Sequence, residues 1–293
     1  MAVLQIMSCA RELDQAVRIL VPLKPVPDPD LSAKIRISDS GQSLVFSNQE
    51  LKPNPFDEYA LEAALRLSED GRNPRQRNGE TVIVTLGSGD ADVILRAGLA
   101  TGADRAIRVP AKDDEIDASI VARVLAQLIR TESCDLVVMG KQSADGDGNE
   151  VGQRLAQLLG WPQVTFVSRI AETGDGRLEL DREIDGGVQK LRARLPAVVT
   201  VDLRIVTPNA VRSRSTPEEF LYPPGVRFAP LPAIMRARKK PLDIRAMDSL
   251  LEAGVEPLLH HIRYEIPAAR ASGRIVSSTG ELVRLLTSEA KVL

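Results

Sequence analysis

Between Arg18 and Leu159, short aliphatic runs alternate with amphipathic stretches, and this alternation restricts the possible folds more than any other feature of the chain. Arg18–Lys24, Glu80–Leu86, Arg105–Val109 and Cys134–Met139 read as strands. Phe56–Leu67, Asp90–Ala100, Ile116–Thr131 and a stretch from about Asn149 to Leu159 read as helices. Such βαβ units build a parallel sheet covered on both faces. The expected fold class is therefore α/β, a doubly wound and mostly parallel sheet. After Gly160-Trp-Pro the pattern changes to strands at Val164–Ile170, Arg177–Ile184, Val188–Leu195 and Ala197–Val201. Asp185-Gly186-Gly187 reads as a hairpin turn among them, so a β-meander is added to the sheet. Lys34–Ile37 and Ser43–Phe46 flank Asp39-Ser-Gly-Gln42 as an inserted hairpin.

The helix at Phe56 has a legible start. Asn54 is a capping residue, Pro55 suits the first helical position, and Asp57 and Glu58 favour the positive end of the dipole. Phe56, Ala60, Ala63, Ala64 and Leu67 make a single apolar stripe. Val206–Pro230, with five prolines, mixed charges and no periodicity, reads as a long surface loop. Leu231–Lys240 carries a short helical signal ending in Arg236, Arg238, Lys239 and Lys240, and Gly280–Leu293 an amphipathic one.

Composition then removes whole classes of function. The 38 Lys+Arg against 40 Asp+Glu, a net charge of −2, leave no footprint for nucleic acid, and nine aromatics are too few for a stacking platform. Two cysteines and two adjacent histidines, His260 and His261, supply neither a disulfide framework nor a zinc site; one surface ring and one packed ring are expected of the histidines. No apolar run reaches the roughly 18 residues of a membrane span. The first twenty residues, with Arg11, Glu12, Asp14 and Arg18, resemble neither a secretory signal nor a transit peptide, so the cytoplasm is expected. No G-x-S-x-G elbow occurs, Cys9 and Cys134 lack a neighbouring histidine, and Cys134 begins an apolar strand as a core residue. Own catalytic residues are not expected. Glu183 and Asp185, on either side of Ile184, suit paired acid/base work or are solvated carboxylates beside a turn.

The most informative stretch is the loop Gly140, Lys141, Gln142, Ser143, Ala144, Asp145, Gly146, Asp147, Gly148, Asn149, Glu150 and Val151, leaving a strand and opening a helix. Open α/β sheets bind ligands at such carboxyl ends. Gly146 and Gly148 allow close backbone approach, and the N–H groups of Asn149, Glu150 and Val151 would face an anion such as phosphate. Neither a Walker loop nor the dinucleotide fingerprint is present. The alternative is a polar turn without a ligand. Leu86-Gly-Ser-Gly-Asp90 is a second such loop, which as a plain turn would use Asp90 as helix cap. These two loops and the strand end at Pro22–Lys24 can converge on one adenine-sized ligand.

Several separated motifs now coincide. Asn54-Pro-Phe56, Gly102-Ala-Asp104, Gly140-Lys-Gln142 through Asn149 to Gly152-Gln153, Gly160-Trp-Pro-Gln163, Arg182-Glu-Ile-Asp-Gly-Gly187, Leu195–Arg204 and Leu231–Met235 occur in that order. Together they resemble the beta subunit of electron transfer flavoprotein from Arg18 to about Lys240, more faintly through Pro267, Arg270 and Gly273.

The resemblance implies an adenine nucleotide alpha-hydrolase-like fold. It also implies a heterodimer with an alpha subunit that holds most of the FAD, and a buried AMP in this subunit. AMP contacts would fall at Pro22, Asn54, Leu86 and the Gly140–Val151 loop, with the phosphate at Asn149 to Val151. Phe56 resembles the aromatic reaching toward the FAD ring, and Glu183 an acidic residue that pairs with an arginine of alpha or of a partner dehydrogenase. Leu231, Pro232, Ile234 and Met235, with Arg236 and Lys239 after them, resemble the recognition loop that docks flavin dehydrogenases; a quinone oxidoreductase takes the electrons onward. The resemblance implies no metal, nucleic-acid partner or membrane insertion. Gly146-Asp-Gly-Asn-Glu-Val-Gly-Gln153 lacks a Pro before Gln153, which resembles the AMP-binding branch rather than the electron-bifurcating one with a second FAD. A universal-stress-like nucleotide-binding regulator is the alternative of another class.

The implied organisation is an N-terminal extension (1–17), a nucleotide-binding domain (18–240) that includes a recognition loop (206–240), and a C-terminal arm (241–293) packing on alpha. The 206–229 segment is longer than the family's usual link, and is expected to govern dehydrogenase choice rather than folding.

Overall fold

The computed structural model describes residues 16–28, 30, 35–42, 44–46, 51–268 and 272–293, without the side chains of Phe46, Pro74 and Arg75. Cys9, Lys34, Ser43, Arg270 and residues 1–15 of the expected extension lie outside the described residues. The chain opens with strands β1 (Val17–Pro22), β2 (Pro25–Pro27), β3 (Ile35–Ile37), β4 (Leu44–Phe46) and β5 (Leu51–Pro53), then helix α1 (Pro55–Ser68). Next come β6 (Glu69–Asp70), β7 (Asn73–Arg77), β8 (Gly79–Leu86), α2 (Asp92–Thr101), β9 (Arg105–Val109), α3 (Ala118–Glu132), β10 (Leu136–Gly140) and α4 (Val151–Leu159). The second half contains β11 (Gln163–Glu172), β12 (Arg177–Ile184), β13 (Gly187–Arg194), β14 (Ala197–Val201), β15 (Val211–Arg212), α5 (Leu231–Ala237), β16 (Asp243–Ile244) and α6 (Thr279–Leu285). The expected inserted hairpin is β3 paired with β4.

The main sheet runs β13-β12-β11-β14-β10-β1-β8-β9-β16, with β15 added beside β11. From β11 through β14 to β16 every pair is parallel, and β11-β12-β13 are antiparallel. The doubly wound, mostly parallel α/β fold with an added meander is thus the observed one. Successive strand residues point to opposite faces, so each parallel strand feeds two cores. Ile19, Val21, Ile83, Leu136 and Val138 meet α1 and α2 residues such as Leu61, Leu65, Ile94 and Leu95. Leu20, Val82, Val84, Val137 and Met139 meet Leu125, Leu128, Ile129 and Leu155 of α3 and α4. Cys134 is buried, as expected, and burial pushes its thiol up to about 12.

Helix α1 departs from the single-stripe expectation. Arg66 is 1% exposed and Glu62 3%, because residues 203–229 cover the helix face that the sequence leaves polar. Arg66 donates to Glu62 (2.7 Å), to Thr207 O (2.9 Å), and to Pro223 O and Gly225 O (3.0 Å each). Arg227 in turn binds Glu62 and Glu69 through its guanidinium, at 2.8 and 2.7 Å. The expected surface loop is therefore a packed strap with Ala210, Val211, Ser213 and Tyr222 buried. Its cohesion comes from charged side chains meeting main-chain carbonyls, a pattern without sequence periodicity.

The described residues form two compact units, one of those within 16–36 and 46–261, the other of those within 37–45 and 262–293. In the second, Tyr264 N–H donates to Gly41 O (2.8 Å), and Ser278 caps α6 by accepting from Glu281 N–H (3.2 Å). The helix expected over Gly280–Leu293 is shorter, a π-helical turn taking over at Leu286–Ala290. His260 and His261 are both exposed, which corrects the expectation of one packed ring.

Candidate functional site

Strand β1 lies between β8 and β10, and the chain winds outward from β1 through α1 to β8, then crosses back to β10. The switch point is therefore at the carboxyl ends of β1 and β10, where such sheets hold ligands. Loops from the ends of β1, β8 and β10 share this edge, so the topology brings Pro22, Leu86 and Gly140–Val151 to one side of the sheet.

Asn54 occupies the N-cap position of α1 but makes no capping hydrogen bond. Instead its amide donates to Gln142 O (2.9 Å) and its carbonyl accepts from Ala144 N–H (3.1 Å), tying α1 to the loop after β10. With Pro55 at the first helical position one orphan donor is already absent, and the Asn54 side chain is released for the long-range contact. Asp57 performs a second tie. One carboxylate oxygen accepts from Lys24 N–H (2.8 Å) and the other from Gly140 N–H (3.1 Å), so a buried group joins the ends of β1 and β10. Burial pushes its pKa up to about 7, against the opposing pull of the Lys24, Asn54 and Gly140 hydrogen bonds.

The tie requires Gly140. A Cβ there would sit 2.6 Å from the Asp57 carboxylate and 2.7 Å from Phe56 Cβ. Farther along, Lys24 Nζ binds both carboxylate oxygens of Asp145 at 2.7 Å. Burial would raise the Asp145 pKa, but the Lys24 ammonium overcomes it and holds the group below the usual carboxylate range. Asp147 takes the left-handed conformation (φ 50°) and accepts from the Gln142 amide (2.9 Å), while Ser143 N–H donates to Gly148 O (3.3 Å).

Helix α4 begins at Val151, two residues later than expected, so Asn149 and Glu150 precede it. The N–H groups of Gly148, Asn149, Glu150 and Val151 find no acceptor among the described residues. Glu150 pairs with Arg154 (2.6 Å) and Asn149 accepts from Gln153 (3.1 Å), leaving the four amides as a row of donors at a helix start. In the β8 loop, Asp90 does not cap α2, whose N-cap is Ala91 without a side-chain bond; a single 3₁₀ turn at Gly89–Ala91 intervenes.

An aromatic and cationic group lies beside this edge. Lys141 Nζ sits 5.4 Å from the Phe56 ring and 5.7 Å from the Phe166 ring, and pairs with Asp202 at 2.8 Å. Tyr59 meets Phe56 edge-on at 6.4 Å. Phe166 has a left-handed backbone (φ 56°), within the interval where the β11–β14 register shifts. Reading the sequence placed the strand end at Lys24 here but missed Asp57, Phe166 and Asp202 as members of this neighbourhood. Asp202 had a signal, a lone acid closing a strand that is apolar but for Thr200; Phe166 had none.

The other expected residues stand elsewhere. Glu183, on β12 three strands from β10, pairs within the chain with Arg204 (3.1 Å), while Asp185 belongs to the turn, so the two carboxylates form no acid/base pair. On α5, Leu231, Pro232, Met235 and Arg236 are exposed, as is Lys239 just after it, but Ile234 packs inward against the core. Arg96 anchors α5 by donating to Ala237 O (2.7 Å) and to Lys240 O. Among the described residues no His, Cys, Asp and Glu cluster is arranged to hold a metal, and no helix is long and apolar enough to cross a membrane.

Fold and site together define a doubly wound α/β protein with a row of open backbone donors at its switch point and a separately anchored, exposed helix. Residues 43–249 match the sequence model of the electron transfer flavoprotein domain. The electron transfer flavoprotein subunit beta of Bradyrhizobium diazoefficiens is 37% identical over 279 residues, 94% of this chain and 100% of that protein. The human subunit beta is 37% identical over 281 residues, 94% and 99% respectively. The mitochondrial subunit beta of Arabidopsis thaliana is 36% identical over 278 residues, again 94% and 100%. The chain belongs to the electron transfer flavoprotein family as a beta subunit, an electron carrier.

Proposed function

We propose that this chain, with an alpha subunit, carries electrons through FAD from acyl-CoA-type dehydrogenases to a quinone oxidoreductase in the cytoplasm, and binds AMP at the β1/β10 edge. Family membership supports the flavin half of this reading. The observation that carries the nucleotide half is the row of four acceptor-free N–H groups from Gly148 to Val151 at the start of α4. Such a row suits phosphate, both by its hydrogen bonds and by the helix dipole. The loop before it is already fixed by Asn54, Asp57 and Lys24, so binding need not order it. Gly146 and Gly148 leave open space where side chains would stand.

Flavin, when bound, supplies the redox chemistry. This chain's part is to orient and to dock. Phe56, with Lys141 and Phe166 about it, forms the wall toward the isoalloxazine; Leu231 and Met235 present an apolar face to a dehydrogenase, with Arg236 and Lys239 beside it. Glu183, held by Arg204, offers its carboxylate at the junction with alpha or the partner.

The test is to co-purify the chain with the alpha subunit, denature the complex and quantify the nucleotides released. One FAD and one AMP per heterodimer is the expected result. Two FAD and no AMP would replace the AMP reading with the bifurcating one, and nucleotide without flavin would favour a universal-stress-like regulator.

A further inference from the structure

Residues 226–230 lead from the strap into α5 without regular structure, and neighbours along them differ in burial. Arg227 turns inward, where its guanidinium makes four hydrogen bonds to Glu62 and Glu69 at 2.7–3.1 Å, and its N–H donates to Glu62 at 3.2 Å. Ala229 packs against the core. Phe228, between them, is 96% exposed. A ring that bulky normally buries most of its surface. Here the chain cannot turn it in, because the residues on both sides are fixed inward and Pro223 O and Gly225 O just before are held by Arg66. The ring stands three residues before Leu231, itself 70% exposed.

The charge around this pair is one-sided. From Phe228 to Lys240 there are four cations and no acid. Arg236, Arg238 and Lys239 are exposed and meet no carboxylate among the described residues. An apolar centre with a cationic margin fits a partner offering an apolar pocket rimmed by acidic groups. Permanent interfaces resemble a divided core and leave charge out, whereas complementary charge at a rim speeds transient encounter.

We infer that Phe228 is a second apolar anchor, beside Leu231, for the electron-donating dehydrogenase, held out for that partner by the Arg227–Glu62–Glu69 clamp. The inference rests on the reading of α5 as the docking element. A pre-positioned aromatic binds at low entropic cost, and truncating such an anchor removes a large share of the binding free energy.

The experiment uses the purified heterodimer as electron acceptor for a purified acyl-CoA dehydrogenase, comparing Phe228→Ala, Phe228→Tyr and Leu231→Ala. Phe228→Ala should keep its flavin, alpha subunit and melting temperature, since the ring touches little of its own chain. Its KM as acceptor should rise about tenfold with kcat unchanged, and Phe228→Tyr should restore most of the loss. If Leu231→Ala raises KM and Phe228→Ala does not, the anchor role is wrong and the docking reading stands. If neither raises KM, the docking reading fails too. Loss of the alpha subunit from Phe228→Ala would make alpha the occupant and overturn the assignment.

Discussion

The loop after β10 and the strap before α5 both lean on α1, and they treat polar groups in opposite ways. In the loop, Asn54 and Asp57 hold the backbone while four amides at its end stay without an acceptor among the described residues. In the strap, Arg66, Arg227, Glu62 and Glu69 satisfy one another and main-chain carbonyls. The first arrangement leaves hydrogen-bonding capacity for something from outside; the second closes on itself and yields only position. Substitutions in the strap should therefore register in stability, and substitutions at the loop's end in ligand content.

The largest effect belongs to the strap. Arg66→Met keeps much of the side-chain volume but leaves the carbonyls of Thr207, Pro223 and Gly225 without their donor, and weakens the balance at Glu62. Breaking a buried pair of this kind costs about 3–5 kcal/mol. Urea denaturation of the heterodimer should show a loss of that order. A loss below about 1 kcal/mol would mean that the strap is only laid on α1, as the sequence suggests. Deletion of 206–229 should likewise destabilise the protein, because it removes the buried Ala210, Val211 and Tyr222 and uncovers the α1 face they pack on, contrary to the expectation that this segment affects partner choice alone.

Asp57 puts the loop's own tie to the test. Its pKa is raised by burial from an ordinary carboxylate value to about 7, so between roughly pH 4 and 7 the folded chain keeps a proton that the unfolded chain has lost. Stability from this group is full below pH 4 and is lost as pH rises through 7. Asp57→Asn should remove that slope while losing part of the tie to Lys24 or Gly140. The free-energy difference between wild type and variant should thus drift by up to roughly 4 kcal/mol over this window, in the variant's favour as pH rises. A difference independent of pH would show that Asp57 ionises as an exposed carboxylate does.

The contrast also explains what could be read in the sequence. Strands β1, β8 and β10 were legible because aliphatic runs between turn residues are local signals, and the Gly140–Val151 loop because it follows such a strand. Arg66 was not, since Glu62 and Arg66 four residues apart look like an ordinary solvated helix pair; only the cover supplied by 203–229 makes them interior. Asn54 was misread for a related reason. Its best local partner was the start of α1, and nothing nearby announces Gln142 and Ala144, 88 and 90 residues away. Asp57 was legible as a dipole partner but not as the link between two strand ends. Local rules recover groups whose partners are local, and fail where the fold closes a distant segment over them.

The glycines of the loop divide along the same line. Gly140 belongs to the closed part: a Cβ there meets the Asp57 carboxylate at 2.6 Å and the Phe56 main chain at 2.8 Å, and neither can yield without moving α1. Gly140→Ala should therefore cost about 1–3 kcal/mol, as crowding in a packed region does. Gly146 belongs to the open part, with no atom within 4 Å of the added carbon. Gly146→Ala should change stability by no more than about 0.5 kcal/mol. The larger Gly146→Val, Gly148→Val pair should also fold, but release its nucleotide, because the branches would occupy space that the ligand needs beside the amide row. Equal nucleotide content in the folded double variant and the wild type would detach Gly146 and Gly148 from the ligand altogether, leaving them as ordinary turn residues in a loop fixed by Asn54 and Asp57.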